Sequence, residues 1–165
     1  MTTPQTETAI REFVPGDEAD FRRLNEEWIT RYFAIEPLEE KFLADPQTTI
    51  LDRGGRIFLA VRDGQIVGSC ALLAIAPGEF EVGKMTVAES CRGAGIGRRL
   101  LEKAIAEARA SGAHRLYLET NHKLTPAVRL YESMGFRHLP PERIVPSPYA
   151  RANVYMELYV EPYTS

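Results

Sequence analysis

The spacing of apolar positions changes repeatedly along the chain, and each change marks an element. Ala9 to Val14 reads as a short strand, and Pro15-Gly16-Asp17 supplies a turn and a helix start. Phe21, Leu24, Trp28 and Tyr32 then recur at helical spacing between charged residues, which predicts an amphipathic first helix. A second helix is predicted over Leu38 to Ala44, ending at Asp45-Pro46, because the residue before a proline is pushed out of the helical region. Arg56 to Arg62 and Gln65 to Ile75 are rich in Ile, Val, Leu and Phe, with the two-residue hairpin signal Asp63-Gly64 between them. A turn at Ala76-Pro77-Gly78-Glu79 leads into Phe80 to Val87, so three consecutive strands are expected to pair as an antiparallel meander.

Helical spacing returns after the glycine cluster Arg92-Gly93-Ala94-Gly95-Ile96-Gly97-Arg98. Leu100, Leu101, Ala104, Ile105 and Ala108 make one apolar stripe, closed by Gly112 at the position of a C-terminal cap. Arg115 to Thr120 alternates as a strand, with Leu116 and Leu118 on one face and Tyr117 and Glu119 on the other. Thr125-Pro126 opens a further helix carrying Ala127, Leu130, Tyr131 and Met134 up to Gly135. Phe136 to Leu139 begins a strand, a proline-rich loop follows, and Asn153 to Val160 is the last strand. The predicted class is α+β (mixed α/β), one domain over 1–165 with residues 1–7 frayed.

Composition narrows the partners. With 165 residues, 44% hydrophobic and 26% charged, the chain can bury a core. A formal net charge of -3 has the wrong sign for a protein whose main partner is nucleic acid. Two cysteines, Cys70 and Cys91, make neither a disulfide framework nor a zinc site, and His114, His122 and His138 lack metal-ligand spacing, so no metal is expected. The polar start lacks a signal peptide's apolar middle and no apolar run approaches a membrane span, so the expectation is a cytoplasmic protein without a membrane partner.

Glycines separated by single residues directly before a helix turn several N–H groups and the positive end of the helix dipole toward one point, which suits phosphate. Arg92 and Arg98 flank that point. The spacing fits neither the dinucleotide fingerprint G-x-G-x-x-G, since Gly97 comes one residue early, nor the P-loop, since no Gly-Lys-Ser or Gly-Lys-Thr occurs.

Glu81 to Val87 followed by Arg92 to Arg98 resembles the acyl-CoA-binding motif of the GNAT superfamily of N-acetyltransferases, and Leu130-Tyr131-Glu132-Ser133-Met134-Gly135-Phe136 is similar to the family's second motif. The Pro-Gly-Asp turn after the first strand is also similar to many members, so the likeness covers most of the chain. It implies a central, mostly antiparallel twisted sheet of about seven strands flanked by about four helices, and acetyl-CoA as co-substrate. By the same resemblance Arg92, Gly93, Ala94, Gly95, Ile96, Gly97 and Arg98 contact the pyrophosphate. Met85, Thr86 and Val87 pair their backbone with the pantetheine arm, and Asn121 hydrogen-bonds that arm unless it is simply a turn asparagine.

Acyl transfer to an amine needs a base, because an alkyl ammonium has a pKa of about 10.4. Glu81 is the candidate. Strict alternation places Glu81, Gly83, Met85 and Val87 on one face, toward core residues, where burial would raise the carboxyl pKa; otherwise Glu81 is a solvated strand residue. Tyr131 matches the family's general acid toward the departing CoA sulfur, with a core tyrosine as the alternative. The backbone N–H of Val87 or Met85 would steady the oxyanion. Trp28, Tyr32 and Glu36, with Glu40, fall in the region that forms the family's acceptor pocket. The expected activity is acetyl transfer to a primary amine, small or on a peptide or protein, by direct attack. The alternatives are a non-catalytic acyl-CoA-binding module and a phosphate-binding protein of another fold. A homodimer is left open.

Overall fold

The computed structural model describes residues 7–161, so most of the segment expected to fray lies outside the described residues. One sheet of seven strands runs through the molecule in the order β1-β2-β3-β4-β5-β7-β6. In chain order these are β1 (Thr8–Glu12), β2 (Arg56–Arg62), β3 (Gln65–Ala76), β4 (Glu79–Val87), β5 (Arg115–Thr120), β6 (Arg137–His138) and β7 (Val154–Tyr159). The meander β2-β3-β4 is antiparallel as expected, and β4-β5 is the parallel pair in an otherwise antiparallel ladder. The helices are α1 (Glu18–Tyr32), α2 (Pro37–Ala44), α3 (Pro46–Thr49), α4 (Ile96–Ala110) and α5 (Thr125–Ser133). The additional helix is α3: Pro46 does end α2, but Asp45 accepts a hydrogen bond from the Thr48 N–H and starts one more turn. Strand β6 keeps only two residues of the predicted Phe136 to Leu139: the Phe136 N–H is spent on the Tyr131 carbonyl at the end of α5, and Leu139 retains a single bond to β7, from its N–H to the Tyr155 carbonyl.

The sheet buries both faces. On one side α4 and α5 cover Phe58, Leu72, Val82, Leu116, Leu118 and Met156, with Leu100, Leu101 and Ala104 as the helix's own contribution. On the other, Phe21, Leu24, Ile29 and Leu43 of α1 and α2 pack on Ile57, Leu59 and Ala71. Burying each large aliphatic or aromatic side chain contributes roughly 1.5–3 kcal/mol, which makes these two clusters the main source of stability.

Strand β4 departs from ideal geometry midway. Ser69 pairs with Thr86 and Ala71 with Gly83, so two steps on β3 face three on β4, and Lys84 takes up the extra residue at φ +51°. The Ser69 hydroxyl, fully buried, donates to the Lys84 carbonyl at 2.6 Å and accepts from Asn25 Nδ2 of α1 at 3.4 Å. The bulge corrects the expectation of strict alternation. Glu81 and Gly83 face α1 and α2, whereas Val82, Met85 and Val87 pack toward α4.

Beyond Glu81 the two central strands part. The pairing of β4 with β5 covers Glu79–Arg115, Phe80–Leu116 and Glu81–Tyr117. Past those rows β4 stays paired to β3 up to Val87–Gly68, and β5 to β7 up to Thr120–Val154. The Ala88 N–H donates to the Val67 carbonyl on the β3 side, so alternation turns the Val87 N–H toward the gap.

Because Ser69 is the polar anchor of the bulge, Ser69→Ala is expected to lower unfolding free energy by about 1–3 kcal/mol, the cost of stranding buried partners. Urea denaturation checks this, and an unchanged midpoint would mean that the bulge stands without that hydroxyl.

Candidate active site

The gap between β4 and β5 opens onto a cavity of about 330 Å³, lined by residues of α1, α2, β3, β4, β5, α5 and the loop before β7. It brings together Glu81, Glu119, Asn121, Tyr131, Met85 and Trp28, residues spread over more than half of the sequence.

Glu81 lies in a row that crosses the sheet, Leu73–Glu81–Tyr117–Glu157. The two carboxylates of that row are driven apart. Glu157 is held by Arg143 and Arg115, whose charge-assisted hydrogen bonds lower its pKa to about 2. Among the described residues Glu81 has no guanidinium partner. Burial first, and the Glu119 carboxylate second, push it up to about 7, against a smaller opposing pull from Lys84. Glu119 itself is fixed, accepting from Tyr117 Oη at 2.8 Å and from Ser147 Oγ at 2.7 Å.

Tyr131 enters from the opposite face. It is 6% exposed, packs edge-on against Phe136 with ring centroids 5.9 Å apart, and lines the cavity. Burial, with Cys70 close by, raises its pKa, so the phenol stays protonated. Tyr131 is thus a core tyrosine that also forms part of the cavity wall. Cys70, completely buried, is pushed up to about 12 and stays a thiol.

The glycine loop lies at the end of the same gap. Gly93 and Gly95 adopt φ of +83° and +77°, with open space where a side chain would be, so backbone conformation is what requires glycine at both. Helix α4 makes its first hydrogen bond from the Arg99 N–H to the Gly95 carbonyl, which leaves the N–H groups of Ile96, Gly97 and Arg98 without helical partners. Arg92 flanks the loop beside Tyr32, and its guanidinium holds the Tyr32 phenol below the ordinary pKa. Arg98 turns away, donating to Ser133 Oγ at 2.8 Å at the end of α5.

Of the residues expected to hold the acceptor, Trp28 lines the cavity. Tyr32 is 47% exposed and sits by the glycine loop instead. Glu36 accepts from the Ala150 N–H at 3.2 Å and meets Arg151 at 3.5 Å, and Glu40 pairs with Arg22 at 2.7 Å. Asn121 spends its side chain on structure, donating to the Arg151 carbonyl at 2.6 Å and accepting from the Lys123 N–H at 2.8 Å. Sequence reasoning missed Glu119, Glu39, Lys84, Tyr149 and Arg151. Only Glu119 carried a signal, the alternation that sets it on the Tyr117 face, and using it required knowing that β5 lies beside β4.

This architecture and its motifs match known proteins. Residues 21–136 match the profile of the Acetyltransferase (GNAT) family. The chain belongs to the GNAT acetyltransferase family. It is 38% identical over 112 residues to the IAA acetyltransferase of Azospirillum brasilense, covering 67% of this chain and 72% of that one. It is also 38% identical over 87 residues to the streptothricin acetyltransferase of Streptomyces lavendulae, covering 52% and 46% respectively. Among solved structures, a GNAT acetyltransferase from Staphylococcus aureus Mu50 superposes with a TM-score of 0.84 at 21% identity, covering 93% of this chain and 99% of that one. The protein yncA of Salmonella typhimurium, solved with its cofactor acetyl-CoA, superposes with a TM-score of 0.75 at 20% identity, covering 96% and 97%. These relatives make the chain an acyltransferase of GNAT fold. No helix among the described residues is long and apolar enough to cross a membrane.

In this GNAT domain the raised carboxyl of Glu81 has a cost in stability. Unfolded, the group has an ordinary pKa of about 4.5, so the folded state is favoured by protonation and loses stability as pH rises from there through about 7. Glu81→Gln is therefore expected to raise Tm relative to the parent at pH 8 and to change it little at pH 5. Thermal unfolding of both proteins at the two pH values tests this, and an equal gain at both would separate the effect from ionisation.

Proposed function

We propose that this GNAT domain transfers the acetyl group of acetyl-CoA to a primary amine by direct attack, with Glu81 as the base and Tyr131 as donor to the leaving sulfur. The observation that carries the reading is a carboxyl with pKa about 7 placed where β4 and β5 part. A base with that pKa is half ionised at neutral pH and can take the proton of a bound ammonium, whose ordinary pKa of about 10.4 would otherwise keep the nitrogen from attacking.

The neighbouring residues suit the remaining steps. The Val87 N–H, directed into the gap, can pair with the pantetheine arm or receive the carbonyl oxygen as it gains charge. The nitrogen–carbon bond forms, the carbon–sulfur bond breaks, and the departing thiolate takes up the second proton that the nitrogen loses on becoming an amide, so the products are the amide and free CoA thiol. A thiolate has a pKa of about 8.5, below that of a buried phenol, so Tyr131 assists by donating a hydrogen bond that stabilises the sulfur rather than by giving up its proton outright. The pyrophosphate fits the unpartnered N–H groups at the start of α4, with Arg92 alongside. Arg98 would reach it only by leaving Ser133. A domain that binds acyl-CoA without turnover would need neither the Glu81 carboxyl nor the Tyr131 hydroxyl in this cavity.

Thiol release from acetyl-CoA across a panel of amines and peptides tests the activity. The rate is expected to rise with pH through about 7 and level off as Glu81 ionises, and Glu81→Gln is expected to remove that step. Tyr131→Phe is expected to lower kcat by about 10-fold or more with little change in acetyl-CoA affinity. Unchanged kcat would take Tyr131 out of the mechanism. Gly95→Asp is expected to abolish the thermal shift produced by CoA, because a carboxylate would stand against the pyrophosphate. A retained shift in a folded Gly95→Asp protein would overturn the loop assignment.

A further inference from the structure

The cavity lining carries two charged groups. One is the pair of carboxyls of Glu81 and Glu119. The other is a cluster withdrawn from solvent, formed by Lys84 of the β4 bulge, Arg151 and Tyr149 of the loop before β7, and Glu39 of α2. The side chains of Lys84, Glu39 and Arg151 are 7%, 2% and 15% exposed. One oxygen of Glu39 accepts from both Lys84 and Arg151, the latter at 3.3 Å. The Lys84 ammonium lies 5.0 Å from the centre of the Phe42 ring and 5.6 Å from that of Tyr149, and the Arg151 guanidinium 4.5 Å from the Tyr149 ring.

Donors exceed acceptors in this cluster. An ammonium has three N–H groups and a guanidinium five. Lys84 uses one, on Glu39, and Arg151 makes its two contacts at 3.3 and 3.5 Å, long for charged partners. The Tyr149 hydroxyl is buried, lies near the Glu39 carboxylate, and has no hydrogen bond among the described residues. The second Glu39 oxygen could take up one of these donors and would leave the rest. Glu81, Glu119, Lys84, Tyr149 and Arg151 line one cavity, so both charged groups face the same space. The lining also includes the apolar side chains of Trp28, Phe33 and Phe42.

We infer that the acceptor is a free α-amino acid with an apolar side chain, its ammonium held at Glu81 and Glu119 and its carboxylate at Lys84, Arg151 and Tyr149. The inference rests on the acetyltransferase reading for the purpose of the site, but the recognition is separable from the chemistry. A carboxylate supplies acceptors for the donors of Lys84, Arg151 and Tyr149 that Glu39 and Glu36 leave over, whereas an amine without a carboxylate leaves those donors to water.

The test pairs L-phenylalanine with its decarboxylated analogue phenethylamine and with L-phenylalaninamide. Binding to the CoA-saturated protein is measured by calorimetry, and acetylation by thiol release from acetyl-CoA. L-Phenylalanine is expected to bind at least about 10-fold more tightly than either analogue, the worth of one hydrogen bond to a charged group. Tyr149→Phe, which removes a buried hydroxyl beside the Glu39 carboxylate, is expected to weaken L-phenylalanine about 10-fold and phenethylamine much less. Equal or tighter binding of phenethylamine or of the amide, or an equal loss for all three ligands in Tyr149→Phe, would overturn the inference. Selective binding of L-phenylalanine without thiol release from any acceptor would instead refute the acetyltransferase reading and leave the amino-acid site standing.

Discussion

The structure depends on a ladder that stops. Three rows of parallel pairing join β4 to β5, and past Glu81–Tyr117 each strand continues with a different neighbour. An interrupted ladder inside a sheet is costly unless something else takes the exposed N–H and C=O groups, because backbone polar groups away from water must be paired. A co-substrate with amide groups of its own meets that requirement, and the pantetheine arm proposed for the gap has them. The bulge at Lys84 makes the arrangement asymmetric. By adding one residue to β4, it turns Met85 and Val87 toward α4 while leaving Glu81 on the face of α1 and α2. The proposed base and the backbone proposed to orient the thioester thus reach one cavity from a single strand.

Electrostatics follows from the same geometry. Glu81 and Glu157 flank Tyr117 in one row of the sheet, yet their pKa values are about 7 and about 2. The difference comes from what stands opposite each. Arg143 and Arg115 reach Glu157 on β7, whereas Glu81 faces a cavity in which the cation acting on it, Lys84, is already committed to Glu39. Titration near neutrality is thus a property of position rather than of residue type. Were Lys84 free to turn from Glu39 to Glu81, the proposed base would ionise well below neutrality and lose its proton affinity.

Much of this was legible in the chain. The glycine cluster, the apolar stripe of α4 and the Tyr131 motif are local signals, each contained within about one turn or one helix, and local signals survive reading in one dimension. The meander was equally plain because Asp63-Gly64 and Pro77-Gly78 join strands that are neighbours in sequence. What escaped was non-local. Nothing in Glu81-Val82-Gly83-Lys84-Met85 announces that Lys84 takes φ +51°, since a left-handed lysine arises from pairing with Ser69 rather than from its own propensity. The same holds for Glu119 and Glu39: one is an alternating strand residue and the other a helix residue among acids, and each gains its role only when β5 or α2 is set against β4. Tyr32 and Glu36 show the converse, where sequence neighbourhood suggested one pocket and the fold divided them between the glycine loop and the Arg151 loop.

The loop before β7 shows why such a site is difficult to find by motif alone. It carries no regular strand or long helix, yet its hydrogen bonds reach three separate places: Ser147 to Glu119 on β5, Ala150 to Glu36 just before α2, and the Arg151 carbonyl to Asn121 just after β5. Those bonds tie the loop over the cavity without using the free donors of Lys84, Arg151 and Tyr149. A loop held by its backbone and by small polar groups can change its larger side chains without losing its place. The glycine loop has the opposite economy: its backbone is the proposed binding surface, and the positive φ of Gly93 and Gly95 confines its sequence. Within this fold, the half expected to meet the co-substrate is therefore recognisable from sequence, and the half expected to choose the acceptor must be read from the charges and donors that the fold gathers around it.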